Sequence, residues 1–595
     1  MSQILDEQLK KRSKEERELW AMRHTAEHVL HTAMQNLYPS LKKAMGPATD
    51  EGFYFDFDLD GKISEENFPK IGNEMQRLID ANYPMVQKVI SPKEARELFK
   101  HNPYKLEWVN DIEKRGEKVS VFSMGNVDTD LCSGPHVAST GRIKAFKLLS
   151  VAGAYWHGDE KNKMLTRIYG TCFPSQKELD EYLARREEAK NRDHRKIGRE
   201  LGLFAFSDLI GAGLPMLTPK GTTIRRILER FIVDEELKRG YLHVMTPPLA
   251  KVDLYRASGH YPYYKETMYP PMKVDEDELI LRPMTCPHHF MLYKSQPRSW
   301  RELPIRFAEL ASQFRYEKSG ELSGLMRVRM FTLADAHIIT QPEKAKDEIK
   351  AVLDLIDFVN NRFGMVKGAD YRYRLSLGDR KETKKYYKDD ASWDHAEDVL
   401  RQVLKEAEAP FYEAPNEAAF YGPKIDVQVK NVAGHEETAF TVQYDFVMPK
   451  RFELKYVAPD GTLKEPVVIH RSSIGAFERT MAFLIEKYAG AFPVWLAPVQ
   501  LVVIPIAERH SETAQKAAGY LKEHGIRVEV DDKSEPMGAK IRNATLQKVP
   551  FMGIIGDKEM SGGVIAVRTR KGEDLKTMSL ENFLSLLHDQ LEHLL

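Results

Sequence analysis

The alternation of apolar and polar positions divides the chain into stretches of different periodicity. In GTTIRRILERFIVDEELKRG, Ile224, Ile227, Leu228, Phe231 and Ile232 recur at i, i+3, i+4, i+7 and i+8. That spacing predicts an amphipathic helix packed on a core, with Gly240 as its C-terminal stop. A strand ending at Thr246-Pro247-Pro248 should follow. Upstream, QKELDEYLARREEAKNRDHRKIGRELG carries dense charge and little glycine, and reads as an exposed connecting helix. FSDLIGAGLPMLTPKG, between the two, reads as turns and short strands. Downstream, FRYEKSGELSGLMRVRMFTLADAHII places two strand-like pieces around the polar loop EKSGELSG, the pattern of a long hairpin. HRSSIGAFERTMAFLIEKYAG reads as a glycine-containing turn running into a helix, with Arg479 in its first turns.

The two ends differ from this middle. MSQILDEQLKKRSKEERELW is charged and helical in composition, without the apolar core of a signal peptide. Residues 20–172 mix strands and helices: YFDFDLDG follows a helix, and the Gly-rich VAGAYWHGDEKNKMLTRIYG closes the region. After the Pro-bearing FPVWLAPVQ, the tail alternates LVVIPIA, SETAQKAAGYLKEHG, IRVEVDD, PMGAKIRNATLQKVP, FMGIIGD and GGVIAVRTR. That βαβαββ order predicts a small α/β domain with a mainly parallel sheet. No internal repeat is visible.

Composition narrows the class. The 595 residues suggest about three to five domains. Lys+Arg and Asp+Glu both count 88, which argues against a protein that grips nucleic acid by bulk charge and leaves room for local basic faces. Three cysteines (Cys132, Cys172 and Cys286) do not make a disulfide framework and suggest a reducing compartment. The apolar VQLVVIPIA is far short of the roughly 20 residues that span a bilayer. A cytoplasmic protein with no membrane partner is expected.

Candidate chemistry then appears in three places. Arg315, Arg327 and Arg329 lie on the hairpin beside Phe331. Arginine forks suit phosphate oxygens and an aromatic face suits a purine, although solvated arginines on a strand pair read equally well alone. RHTAEH places His24 and His28 at i and i+4 on one helix face, with His31 at i+7. DLCSGPH adds Cys132 and His136 with Asp130 adjacent, so a Cys-His₃ zinc site is one reading and a helix with exposed histidines another. Without the glutamate of HExxH, the metalloprotease reading is poor.

The words LRPMTCPHH, RYEKSGELSGLMRVRMFT, DAHI, AFYGPKID, FTVQYDF and VVIHRSSIGAFER, with the three elements above, resemble class II aminoacyl-tRNA synthetases and, among them, the threonyl-tRNA synthetases of bacterial type. The likeness runs across nearly the whole chain. It implies an α/β and α+β multidomain protein: an editing domain at 1–175, a linker helix at 176–200, a class II catalytic domain at 201–493 built on an antiparallel sheet with flanking helices, and an anticodon-binding α/β domain at 497–595. The resemblance starts almost directly at the editing domain, so a chain lacking the small ubiquitin-like domain that often comes first in the family is expected.

The resemblance also implies a reaction: ATP, L-threonine and tRNA(Thr) give threonyl-tRNA through a threonyl-adenylate. Cys286, His337 and His470 match the family's ligands for one Zn²⁺ per subunit. Three protein ligands leave an open position, which the amino and hydroxyl groups of threonine can fill and valine cannot. Asp335, Tyr421 and Lys424 match the threonine side, and Gln443 the ATP side of the same pocket. Arg315 matches the arginine at the carboxylate and α-phosphate, while Arg327 and Arg479 would hold the γ-phosphate and the ribose–adenine side. Phe331 would stack on adenine and Glu317 lie near its amino group, with Mg²⁺ accompanying ATP. Leu333 and Ala476 depart from the family pattern, where glutamine and serine are often found.

Zinc cannot exclude serine, which differs by a methyl worth only about 1–3 kcal/mol, so an editing site is needed. The resemblance implies hydrolysis of seryl-tRNA(Thr) at His24, His28, Lys105, Asp130, Cys132 and His136, by acid–base chemistry and water positioning without an obligatory metal. It further implies anticodon contacts at Glu559, Arg568 and Arg570, and a homodimer through the first-motif helix. An RNA-binding relative that has lost ligation, or a synthetase for serine or proline, are the competing readings; intact Arg315, Arg479 and the Cys/His trio speak against the first, and the trio with the editing motifs against the second.

Overall fold

The structure is a computed structural model that describes residue 9 and residues 12–592. The first part of the helix expected in MSQILDEQLKKRSKEERELW, and the outermost ends of the editing and anticodon domains, lie outside these residues. Among the described residues no helix is long and apolar enough to cross a membrane. The chain forms two compact units, 1–187 and 188–595.

The first unit is built on helix α1 (Lys14–Leu37). Ser13 caps it: its hydroxyl accepts the Glu16 N–H, and the Glu16 carboxylate accepts the Ser13 N–H. Ala26, Val29, Leu30, Ala33 and Met34 of α1 are fully buried in the unit's core with Phe53, Phe55 and Phe57. These phenylalanines belong to β2 (Phe53–Asp58), in an antiparallel sheet with β1 (Lys42–Lys43), β6 (Ala145–Tyr155) and β7 (Met164–Phe173) in the order β1-β2-β7-β6. A second, three-stranded sheet joins β3 (Met85–Ile90), β4 (Val119–Met124) and β5 (Asp128–Leu131); α2 (Phe68–Asp80) packs on α1, and α3 (Pro103–Lys114) packs on β4. The Gly-rich close of the region is the β6–β7 hairpin.

The expected single connecting helix is two helices. α4 (Gln176–Asn191) ends, and Asp193 caps α5 (His194–Glu200) by accepting the Arg195 N–H. An aspartate whose side chain bonds its own backbone starts a helix better than it continues one. α5 is exposed on one face only: His194 and Ile197 are buried, and Ile197 joins the core of the second unit.

That core surrounds an eight-stranded sheet. The amphipathic helix is α6 (Pro219–Lys238), burying Ile224, Leu228 and Ile232, and Gly240 takes φ +77 just beyond its end. β8 (Leu242–His243) follows at the sheet edge, and α7 (Cys286–Lys294) packs nearby in chain order before the hairpin of β9 (Ile305–Phe314) and β10 (Met330–Thr340). After α8 (Ala345–Arg362), the remaining strands are β11 (Tyr371–Leu377), β12 (Phe411–Pro415), β13 (Lys424–Lys430), β14 (Glu436–Asp445) and β15 (Val467–Ala476), in the order β8-β9-β10-β15-β14-β13-β11-β12. All neighbours are antiparallel except the two edge pairs, β8–β9 and β11–β12. HRSSIG, read as a turn, is instead the end of β15, which passes straight into α9 (Phe477–Lys487). Its polar residues mimic a loop because they are bonded inside the core: buried Arg471 donates to Glu236 at 2.6 Å.

The C-terminal part holds β16 (Leu501–Pro505), α10 (Ser511–Glu523), β17 (Val528–Val530), α11 (Met537–Leu546), β18 (Phe551–Ile555), α12 (Asp557–Gly562), β19 (Val564–Thr569), β20 (Asp574–Ser579) and α13 (Leu580–Glu592). The sheet order is β17-β16-β18-β19-β20. Its first two pairings are parallel and its last two antiparallel, so the expectation of a mainly parallel sheet is corrected. β20 went unforeseen because DLKTMS has only two widely spaced apolar residues.

Candidate functional site

The sheet register assembles the first cluster. His337 on β10 and His470 on β15 are directly paired, and Gln443 on β14 faces His470 from the other side. Cys286 reaches them from the first turn of α7. The Cys286, His337 and His470 ligand atoms lie within 4.8 Å of one another, and all three residues are buried.

The outer nitrogens of both histidines are occupied. His470 Nε2 lies 2.7 Å from Asp445 Oδ2, and a carboxylate only accepts, so this nitrogen carries the proton. Glu309 Oε2 lies 3.2 Å from His289 Nε2, which therefore donates, leaving His289 Nδ1 to accept from His337 Nδ1 at 2.8 Å. The lone pairs left over are His470 Nδ1 and His337 Nε2, and with a thiol they form a soft donor set of the kind zinc takes. Burial, then His470 and His289, hold His337 far below the usual imidazole range. Burial, then Asp335 and Asp445, push the Cys286 thiol up.

Asp335 and Tyr421 border the trio. Asp335 is buried, accepts from Gln313 Nε2 at 3.2 Å, and has its carboxyl pushed up by burial. The Tyr421 ring stacks on His470 with centroids 5.0 Å apart, and its hydroxyl donates to Gln443. Lys424 pairs in register with Gln443, but its ammonium is held by Asp426 at 2.7 Å.

A cavity of about 200 Å³ lies farther along β10 and β15. Arg315, Glu317, Arg327, Phe331 and Arg479 all line it. The Arg315 guanidinium stands 5.0 Å over Phe331. Arg327 is paired with Glu317 at 2.8 Å and Glu321 at 3.0 Å. Leu333 and Ala476, the departures from the family pattern, are cross-strand partners at a β-bulge and both line this cavity. Gln443 and Lys424 are not among its lining residues; they stand beside Tyr421 and His470 instead.

In the first unit, His24, His28, Cys132 and His136 bring their ligand atoms within 4.8 Å of one another. Cys132 Sγ lies 3.4 Å from His24 Nε2 and 3.2 Å from His136 Nε2. Thr25 gives its one hydroxyl proton to Ala21 O, so it accepts from His136 Nδ1 at 3.1 Å. His24 Nδ1 donates to Pro135 O at 3.1 Å. Both Nε2 lone pairs therefore converge on one thiol. Burial lowers His24 to about 4 and His136 to about 2, and pushes the Cys132 thiol up, so the cluster is neutral. Lys105 and Asp130 form a buried pair at 2.7 Å. Lys105 and Cys132 open onto a cavity of about 580 Å³.

Sequence reasoning passed over most of the supports of the two clusters, His31 and Asp130 excepted. His289, Glu309 and Asp445 stand behind the trio; the doublet His288-His289 beside Cys286 was the available signal. In the first unit His31 lies between Asp128 at 3.2 Å and Asp130 at 3.6 Å, with Lys43 on Asp128 at 2.7 Å. In the C-terminal part, Arg568 is exposed and Glu559 accepts the Gly556 N–H at 3.0 Å. Arg570 donates to Phe492 O at 2.7 Å and Lys548 O at 3.2 Å.

Comparison with known proteins matches three stretches of the chain. Residues 119–169 match the threonyl and alanyl tRNA synthetase second additional domain, residues 269–488 the tRNA synthetase class II core domain (G, H, P, S and T), and residues 500–590 the anticodon binding domain. The chain is 50% identical over 569 residues to the threonine–tRNA ligase of Geobacillus sp. (strain WCH70), covering 95% of this chain and 88% of that protein. It is 49% identical over 568 residues to threonine–tRNA ligase 1 of Bacillus subtilis (strain 168), covering 95% and 88%. The solved RNA binding domain of threonyl-tRNA synthetase from Cryptosporidium parvum Iowa II superposes with a TM-score of 0.63 at 32% identity, over 67% of this chain and 98% of that one. With half its residues shared over nearly its full length, the chain belongs to the threonine–tRNA ligases, enzymes that attach threonine to tRNA with ATP and edit the product.

Proposed function

We propose that the two clusters divide the work of selecting threonine. The carrying observation is the donor set at Cys286, His337 and His470, with each histidine's second nitrogen already tied to a buried partner. Zn²⁺ held there would act as a Lewis acid toward the amino and hydroxyl groups of threonine, a handle that valine lacks. Asp335 and Tyr421 orient the amino acid, with Lys424 and Gln443 completing the pocket wall. Arg315 stabilises charge that builds at the α-phosphate as the carboxylate attacks, and Arg479 holds the far end of ATP. Phe331 offers a ring face to adenine, Glu317 lies near its amino group, and Arg327 joins Arg479 in holding the γ-phosphate and ribose–adenine side. Mg²⁺ accompanies the nucleotide.

In the first unit the neutral imidazoles of His24, His28 and His136 position water and take its proton as the ester of seryl-tRNA is cleaved. Cys132 and the Lys105–Asp130 pair complete that site, and its donor set is also compatible with zinc. The reading assigns 1–175 to editing, 176–200 to the linker, 201–493 to catalysis and 497–595 to the anticodon, in a cytoplasmic homodimer.

Threonine-dependent ATP–pyrophosphate exchange, with metal analysis of the same sample, tests the first half. Cys286→Ser is expected to lower zinc content and abolish exchange; zinc and exchange both retained would sink the assignment.

A further inference from the structure

The loop that carries Glu317 and Arg327 is held from outside the nucleotide cavity by His194. His194 opens α5 and is 3% exposed. Its Nε2 accepts the Leu325 N–H at 3.0 Å. Its Nδ1 donates to Glu486 Oε1 at 2.7 Å, and that oxygen also accepts the His194 backbone N–H at 3.3 Å. An amide N–H only donates and a carboxylate only accepts, so the tautomer follows: proton on Nδ1, lone pair on Nε2. Asp193, His194 and Glu486 lie within 4.8 Å of one another as a metal group would. Yet both ring nitrogens are already used, so the imidazole is a clamp between two protein groups.

What it clamps lines the cavity. Leu325, Met326 and Arg327 all face that space. Met326 O in turn accepts from Arg479 Nε at 3.3 Å. The peptide run at 325–326 is thus gripped by its N–H from His194 and by its C=O from Arg479. Arg479 and Glu486 both stand on α9, two turns apart, where positions i and i+7 share a face. Gly324 makes the approach feasible: it takes φ +48, and a Cβ there would meet His194 Nε2 at 2.2 Å.

We propose that His194 is a positioning residue for ATP in threonine activation, fixing segment 325–327 against α9 so that the cavity is formed before the nucleotide arrives. The inference rests on the reading of this cavity as the ATP site. It assigns to α5, which follows the connecting helix, a part in the first chemical step that no cavity-lining residue reveals.

The test is ATP–pyrophosphate exchange on the full-length enzyme, with KM measured separately for ATP and threonine. His194→Ala should raise KM for ATP about tenfold, the scale of one lost buried hydrogen bond, and leave KM for threonine unchanged. His194→Gln, which can accept at Oε1 and donate from Nε2, should restore KM for ATP to within about threefold. Gly324→Ala should reproduce the ATP defect. If His194→Ala does not fold, Glu486→Ala serves in its place with the same expectation. An unchanged KM for ATP, an equal rise in both KM values, or no rescue by glutamine would overturn the proposal. Failure of the ATP reading is seen separately: Arg315→Ala would then leave exchange intact, whatever His194→Ala does.

Discussion

The Nδ1 atoms of His289 and His337 lie 2.8 Å apart. His289 is fixed by Glu309, and Glu309 is itself held by Arg282 at 2.9 Å and Thr246 at 2.7 Å. The orientation of one candidate ligand is therefore set three residues deep. Partners of this kind typically tune metal affinity by about 10–100-fold. His289→Ala should keep the fold but shed metal on dialysis against a chelator that leaves the unaltered enzyme loaded. Equal metal retention would remove His289 from the assembly.

The editing cluster predicts a separable defect. His24→Ala with His28→Ala removes two imidazoles from the first unit, while the activation pocket belongs to the second. Threonine activation should be unchanged, while seryl-tRNA accumulates when serine is supplied. Serine rejection equal to the unaltered enzyme would refute the role given to these histidines.

The same cluster sets a pH dependence. Burial lowers His24 to about 4 and holds His28 and His31 below the ordinary imidazole value. The unfolded chain, with values near 6.5, then binds more protons than the folded one, so stability rises with pH across this range. It is fully present above about 6.5 and is lost as pH falls from there toward 4. For His24 alone, which is partly exposed, the loss between pH 7 and 5 is on the order of 1–2 kcal/mol. Calorimetry should show the transition of the first unit moving down over that interval, and His24→Gln with His28→Gln should flatten the slope. A pH-independent transition in the unaltered enzyme would contradict buried neutral histidines.

The contrast between the clusters shows what the sequence could carry. His24 and His28 are one helical turn apart, and Cys132 and His136 sit in one short loop, so half the geometry is local. Cys286, His337 and His470 meet only through the β10–β15 register and the placement of α7, which no local spacing encodes. Motif resemblance supplied that link. It did not supply His289, Asp445 or His194, because a hydrogen bond behind a ligand leaves no periodicity. It also missed that HRSSIG is a strand: buried polar residues in a central strand look like a loop until their partners are known.

Arg568 and Arg570 were read as equal candidates for the anticodon, and the structure separates them. Arg570 spends its guanidinium on Phe492 O and Lys548 O, and burial lowers its pKa. Arg568 is exposed. Arg570→Ala should therefore destabilise the C-terminal part by about 1 kcal/mol, leaving the part-buried Phe492 carbonyl without this donor. Arg568→Ala should leave stability unchanged and raise KM for tRNA. Denaturation and aminoacylation kinetics on both variants distinguish them; a tRNA effect confined to Arg570→Ala would reverse the assignment.

The apolar surface around α6 carries the last expectation. Leu242 and Met245, just past its end, are 56% and 94% exposed, and Leu237 on its last turn is 52% exposed. β8 is also an edge strand, with backbone groups open on one side. Large apolar side chains exposed together on one stretch are expected to be covered by a partner. A second copy of the same chain can cover it about a two-fold axis, each copy presenting the same patch. Light scattering should give twice the chain mass, and Leu242→Asp with Met245→Asp should halve it by burying charge in the contact. A monomeric unaltered enzyme at micromolar concentration would leave these residues without that partner.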